Sequence, residues 1–392
     1  MSFNVLHKLS CDGAIPLHVI FSPDGTMLAC GDSVGIIRIW NVISGELQLT
    51  INCGGDSLEN LRSIDFSPDG TTIISVRNEN NIKFWNIATG YVVKTLDLND
   101  EGSVSAIFTP TGENIISKSV RGGINIWDVE TGELIRTLGS QHPLSFTISS
   151  DGKTLIQVGT KNFPLSSFGE EVIKLWDIET GDALKELRGD NYVRTAAISH
   201  DKKIIISATD TDHKINIWDV ETSRQILKLE SDTNLLKFIP GGGFISCGIG
   251  RITFWDKEFT RVSSLKIPER ENHQVGIIKS IDVNKTGTNF ALGSMDKFVY
   301  IFKSGIDALH KADILVGAPL EGTPQKGFLP REARELIAEY SVEGTKLDPG
   351  LVSLHHIAKH PFKNTPGGKR KTRRGRKNNS KIKRKKSKKN KK

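Results

Sequence analysis

Apolar and polar residues alternate with period two through seven short segments, each closing on an aromatic residue: Ile-Arg-Ile-Trp40, Ile-Lys-Phe-Trp85, Ile-Asn-Ile-Trp127, Ile-Lys-Leu-Trp176, Ile-Asn-Ile-Trp218, Ile-Thr-Phe-Trp255 and Val-Tyr-Ile-Phe302. Period two sends successive side chains to opposite faces, so each segment is predicted to be a strand with one buried face. The aromatic slots recur at intervals of 37 to 49 residues. A beat of that length marks one supersecondary unit used again and again.

Turn chemistry divides each repeat further. Phe21-Ser-Pro-Asp-Gly25, Phe66-Ser-Pro-Asp-Gly70, Phe108-Thr-Pro-Thr-Gly112 and Ile148-Ser-Ser-Asp-Gly152 lie upstream of four of the strands. Proline presets one turn dihedral there and glycine accepts a positive φ. Downstream, Val-Ile-Ser-Gly45, Ile-Ala-Thr-Gly90, Val-Glu-Thr-Gly132 and Ile-Glu-Thr-Gly181 supply a second turn, after which another alternating strand begins. Each repeat therefore predicts four short antiparallel strands. Such a sheet cannot bury a core alone, but sheets stacked radially around an axis bury both faces, which predicts an all-β, seven-bladed propeller.

The recurring strand, ending in Trp-Asp or Trp-Asn six times and in Phe302-Lys303 at the seventh slot, closely resembles the WD-repeat family over roughly residues 3 to 303. That resemblance implies a propeller working as a non-enzymatic scaffold for protein partners. Two features depart from the family pattern. The Gly-His pair that usually opens a repeat is missing, and the turn aspartate six residues before the aromatic slot survives only as Asp212 and Asp296. Much of the family's hydrogen-bonded tetrad is thus expected to be absent, giving softer blades unless other polar contacts substitute. Ring closure is expected from Asn4-Val-Leu-His-Lys-Leu9, which matches outer strands such as Leu134-Ile-Arg-Thr-Leu138 yet precedes the first blade. The competing segment, Ile306 to Asp313, reads more like a helix.

The expected domains are a propeller over 1–303, a helical extension over 304–368 and a disordered polybasic tail over 369–392. Leu329 to Tyr340 carries proline at a helix start and an apolar stripe of Leu329, Ala333, Leu336, Ile337 and Tyr340, predicting an amphipathic helix. A shorter one is expected from Asp348 to Pro361. These helices either pack on the propeller or dock in a partner's groove. On the second, His356 and His360 share a face with metal-ligand spacing, but no third ligand is evident and no metal is expected.

Charge changes the picture most. The chain has a formal net charge of +8. Of its 53 Lys and Arg, 16 fall in residues 369–392, leaving a body of net −8. The candidate nucleic-acid-binding residues are Lys369, Arg370, Lys371, Arg373, Arg374, Arg376, Lys377, Lys381, Lys383, Arg384, Lys385, Lys386, Lys388 and Lys389. Such a polycation cannot fold alone and condenses on RNA or DNA phosphates through counterion release, without reading bases. The same block also fits a nuclear or nucleolar address, an anionic-membrane tether or a solubility tail.

No apolar run is long enough to span a bilayer, and residues 1–14 lack a signal-peptide core. An intracellular protein is expected, nuclear or nucleolar in a eukaryote and cytoplasmic otherwise. Cys11, Cys30, Cys53 and Cys247 show no paired spacing, so ordinary buried thiols are expected rather than a zinc site or disulfide framework.

Catalytic motifs are weak. Gly31-Asp-Ser33-Val-Gly35 fits G-x-S-x-G, but its flanks are strands rather than the strand-to-helix elbow that exposes a nucleophile. Gly55-Asp-Ser57-Leu58, with His310 downstream, is similar to the signature of GDSL-type esterases. That family is an α/β fold, and Ser57 falls in a connection that the count assigns to blades two and three. No catalytic residue, cofactor or small-molecule substrate is therefore expected. In blade four a lengthened turn, Lys161 to Glu171, puts Phe163, Leu165 and Phe168 where other blades have a few small polar residues. Loops that break a repeat gather on binding faces, making these three the candidate protein-binding residues of a propeller expected to be monomeric within a complex.

Overall fold

The alternating segments pair into seven four-stranded antiparallel sheets in the computed structural model. It describes residues 4–54, 60–77, 81–98, 103–119, 123–139, 143–160, 171–189, 193–209, 213–231, 233–266 and 277–303. All belong to the first of the chain's two units, Met1–Pro324. Among the described residues there is no helix, and hence none long and apolar enough to cross a membrane.

Blade one runs from its inner strand Pro16–Phe21 through Met27–Asp32 and Ile36–Asn41 to its outer strand Leu47–Asn52. Blades two to six repeat this order on inner strands Ser63–Phe66, Ser103–Phe108, Ser145–Ile148, Val193–Ile198 and Leu235–Phe238. Blade seven takes Ile278–Val283, Asn289–Ser294 and Phe298–Lys303 from the end of the array and borrows Asn4–Ser10 as its outer strand. The pairing places Leu9 opposite Val299 and Asn4 opposite Lys303, so the amino-terminal strand closes the ring.

Closure leaves no long open edge between first and last blades. The seam is also tied from the side. His7 Nε2 lies 2.9 Å from the Ile43 carbonyl, and its ring covers Gly45, whose φ of 73° and lack of a side chain the approach requires: a Cβ there would stand 2.5 Å from His7 Nδ1.

The aromatic slots do two jobs in packing. Each pairs with a buried residue on the second strand, Trp40 with Leu28, Trp127 with Ile115 and Phe302 with Phe290, the last pair stacked at 4.7 Å between ring centroids. On the other side, the ladder to the outer strand slips by one residue at every slot, as between Ile39 and Trp40 or between Val5 and His7 opposite Phe302. A bulge repeated at one place in every blade bends and twists each outer hairpin alike.

The core is a set of wedges between blades. Ala29, Ile37 and Ile39 of blade one meet Ile64, Phe66, Ile73 and Trp85 of blade two. Ile74, Val76 and Phe84 of blade two meet Ala106, Phe108, Ile115 and Trp127 of blade three. Removing one such large side chain from water contributes about 1.5–3 kcal/mol, so the ring is held by the same hydrophobic term at each junction.

Candidate interaction surfaces and the propeller axis

At one end of the blades the turns are pinned by short side chains. Ser22 Oγ donates to Asp24 Oδ1 at 2.5 Å and accepts the Met27 N–H at 2.9 Å. Ser67 with Asp69, Ser149 with Asp151 and Ser199 with Asp201 repeat the arrangement. Hydrogen bonds to the charged form hold the carboxyls of Asp24, Asp69, Asp151 and Asp201 below their ordinary value. Lysines clasp adjacent blades at this end: Lys94 Nζ donates to the Glu130 carbonyl at 2.8 Å and Lys185 Nζ to that of Glu221 at 2.6 Å.

A cleft of about 320 Å³ between blades five and six is lined by Ser199, His200 and Asp201, the residue types of a hydrolase triad. The Ser199 hydroxyl donates to Asp201 at 2.6 Å and accepts the Ile204 N–H at 3.0 Å. That is the turn-pinning pattern above, with the serine proton given directly to the carboxylate and not to a histidine ring.

The opposite end carries the connections between second and third strands and those between blades. Asp32 Oδ1 accepts the N–H groups of Val34 and Ile36 at 2.9 and 3.0 Å, its Oδ2 pairs with Arg38, and Arg38 reaches on to Asp12 at 3.0 Å. Ser33 Oγ accepts the Ile15 N–H at 3.0 Å, so the serine of the G-x-S-x-G match ties two connections together.

Around the axis, inner strands present their free edges to one another. A Ser-Ile-Asp sequence occurs on two of them, at 63–65 and 280–282, and both copies do the same work. Asp282 Oδ2 accepts the Phe21 N–H at 2.9 Å and Ser280 Oγ that of Val19 at 3.0 Å. Asp65 Oδ2 accepts the Phe108 N–H at 2.7 Å and Ser63 Oγ that of Ala106 at 3.3 Å. Backbone donors that no strand can reach are thereby satisfied by the neighbouring blade.

These carboxylates are not equivalent. Lys237 Nζ sits 2.7 Å from Asp282 Oδ1, and the lysine is raised first by that charge. Asp65 has no comparable partner in the structure's described ion pairs. Burial raises its carboxyl to about 7; the Phe108 N–H and Lys237 oppose the rise and Asp282 adds to it. On the inner strand between them, burial lowers the His18 imidazole to about 4 although its ring donates to the Leu61 carbonyl.

In blades two to six the aromatic slot also has a polar side. The indole N–H groups of Trp85, Trp127, Trp218 and Trp255 donate to Ser75, Ser117, Ser207 and Ser246 at 2.9 to 3.0 Å. Trp176 instead donates to Gln157 Oε1 at 2.9 Å, with the carboxamide filling the space over Gly139. Residues 4–41, 48–86 and 181–219 match the family model described as WD domain, G-beta repeat. The chain is a WD-repeat β-propeller. No curated protein matches it. The first matched stretch begins in blade seven and ends in blade one, so sequence repeat and structural blade are staggered by one strand.

In five blades of this WD-repeat propeller a serine, or once a glutamine, takes the indole proton, so that hydrogen bond is present where the turn aspartate is missing from the repeat or lies outside the described residues. Asp296 serves another partner, accepting the Tyr300 hydroxyl and the Phe298 N–H, the latter at 3.3 Å. Asp212 lies outside the described residues. So do the fourteen tail cations Lys369 to Lys389, the 304–368 segment with its histidines, Ser57 and His310, and Phe163, Leu165 and Phe168.

The strands flanking Ser57 are the outer strand of blade one and the inner strand of blade two, which corrects the assignment to blades two and three. Those flanking Lys161–Glu170 are the second and third of blade four, a connection of ten residues against two to four in the other blades. Sequence reasoning missed the axial carboxylates and the indole acceptors. The repeated Ser-Ile-Asp, and serines nine to eleven positions before four tryptophans, were the available signals.

Proposed function

We propose that the protein is a non-enzymatic scaffold whose WD-repeat propeller holds protein partners and whose basic tail tethers them to RNA or DNA. Protein interaction is the role that a propeller of this family suggests. The observation carrying the tether is the separation of charge, 16 cations in the last 24 residues against a body of net −8. A block of that density releases condensed counterions from phosphate backbones, while the acidic remainder repels them. For the partner side, the ten-residue connection of blade four is the favoured contact, with Phe163, Leu165 and Phe168 as apolar anchors.

The experiment is capture of full-length protein and of a 1–368 truncation from native lysate, each with and without nuclease, together with oligonucleotide binding at low salt. The scaffold reading expects partners that survive nuclease with both proteins, and nucleic acid bound by full-length protein alone. If the full-length protein binds no oligonucleotide while residues 369–392 relocate a reporter to the nucleus, the tail is an address.

A further inference from the structure

Cys11 and Cys30 bring their sulfur atoms to 3.8 Å from one another. They do so inside the apolar cluster that joins Ala291, Val299 and Ile301 of blade seven to Val19, Leu28 and Trp40 of blade one. Cys30 stands on the second strand ten residues before Trp40, as Ser75 stands ten before Trp85 and Ser117 ten before Trp127. Blade one thus has a thiol where blades two, three, five and six have the hydroxyl that takes the indole proton.

Cys11 follows directly on the strand that closes the ring, and its N–H donates to the Lys297 carbonyl of blade seven at 3.3 Å. The turn beyond it is held from both sides. The Ala14 N–H donates to the Cys11 carbonyl at 3.0 Å, and the Asp12 carboxylate meets Arg38 at 3.0 Å. The other two thiols have different surroundings: Cys53 faces the Ser75 hydroxyl, and Cys247 lies in the cluster of blades six and seven.

The geometry points to Cys11 and Cys30 as an oxidisable dithiol that forms a disulfide between the end of the ring-closing strand and blade one, with hydrogen peroxide as the oxidant. One thiol, as thiolate, attacks a peroxide oxygen; the O–O bond breaks and the departing hydroxide takes up the thiol's proton as water. The second thiol attacks the resulting sulfenic sulfur, its proton leaving with the expelled hydroxide as a second water. Two thiols and one peroxide become one disulfide and two waters. The sulfurs need only close from 3.8 Å to about 2.0 Å.

Both thiols are buried, and burial together with the neighbouring Cys11 keeps the Cys30 thiol protonated. Reaction therefore follows opening of the seam. The bond then pins the link between the closing strand and blade one, holding the end of that strand beside blade one.

The test uses full-length protein treated folded with hydrogen peroxide and, in parallel, refolded from urea in glutathione disulfide buffer, which removes the barrier of access. Peptide mapping without reduction is expected to find Cys11 linked to Cys30 with two hydrogens lost, and Cys53 and Cys247 open to alkylation. The linked protein should unfold roughly tenfold or more slowly than the reduced one, and dithiothreitol should reverse this. Cys11→Ser and Cys30→Ser should each lose the link and the slowed unfolding; Cys11→Ala replaces Cys30→Ser if the latter does not fold. Free thiols at both positions after refolding, linkages spread over Cys53 and Cys247, or a linked protein unfolding at the reduced rate would overturn the proposal.

Discussion

Replacing Asp65 by asparagine isolates the electrostatics of the inner strands. The carboxyl has an ordinary value of 3.8 and is raised to about 7, chiefly by burial. Between those values the folded chain binds a proton that the unfolded chain gives up, so the raised group confers stability in acid that is lost as pH rises through about 7. Three units correspond to about 4 kcal/mol at most, and the partial exposure of Asp65 cuts this to roughly 1–3 kcal/mol through solvent screening.

Asparagine keeps an oxygen to accept the Phe108 N–H but does not ionise. Asp65→Asn should therefore be more stable than the parent at pH 8 by about 1–3 kcal/mol, with the advantage vanishing toward pH 4.5. Urea unfolding of both proteins at half-unit pH steps gives the difference directly. His18 acts in the opposite sense: its folded value is depressed to about 4, so its contribution is lost as pH falls from 6.5 toward 4. Both proteins share that loss, and it drops out of the comparison. A pH-independent difference, or an Asp65→Asn protein less stable at pH 8, would refute the reasoning and show an ionised Asp65 working with Lys237.

Deleting residues 1–9 should cost several kcal/mol in chemical unfolding, because blade seven loses its outer strand and the buried Leu9; an unchanged melting temperature contradicts closure by that strand. Ser117→Ala strands the buried Trp127 indole N–H and should cost about 1–3 kcal/mol, as should Trp127→Phe. The double variant should cost less than their sum, and strict additivity would mean that the hydrogen bond contributes nothing. For the tail, contact of about eight cations with phosphates predicts a slope of log affinity against log salt of roughly −6 to −7. Removing 369–392 should abolish detectable binding near physiological salt, and sequence-selective binding by the truncated protein would place recognition elsewhere.

The architecture was legible because its signals repeat. One Trp-Asp carries little information, but seven aromatic slots in register, each between turn residues with a mechanism, leave few folds that bury every strand. Closure by Asn4–Ser10 was readable for the same reason, since Val5 to Leu9 copies outer strands elsewhere. The axial carboxylates were hidden by the rule that found the strands. Asp65 and Asp282 alternate with apolar residues, so period two marks them as solvent-facing, whereas the ring turns that face toward a neighbouring inner edge. The indole acceptors escaped because their spacing varies with the length of the intervening connection, up to 19 residues between Gln157 and Trp176. No comparable physics reports on Phe163, Leu165 and Phe168, where a broken repeat indicates position without indicating a partner.

The one-strand stagger between repeat and blade sets an order of events during synthesis. Of the described strands Asn4–Ser10 is made before all others, yet its partner Phe298–Lys303 is made after them. At about 5–20 residues per second, the closing strand waits roughly 15–60 s for its mate. Throughout that interval the nascent ring has two sticky lips, and on a crowded polysome the lip of one chain can meet the waiting gap of the next. Exchange of that closing strand between sister chains is therefore an assembly error that this mode of closure permits.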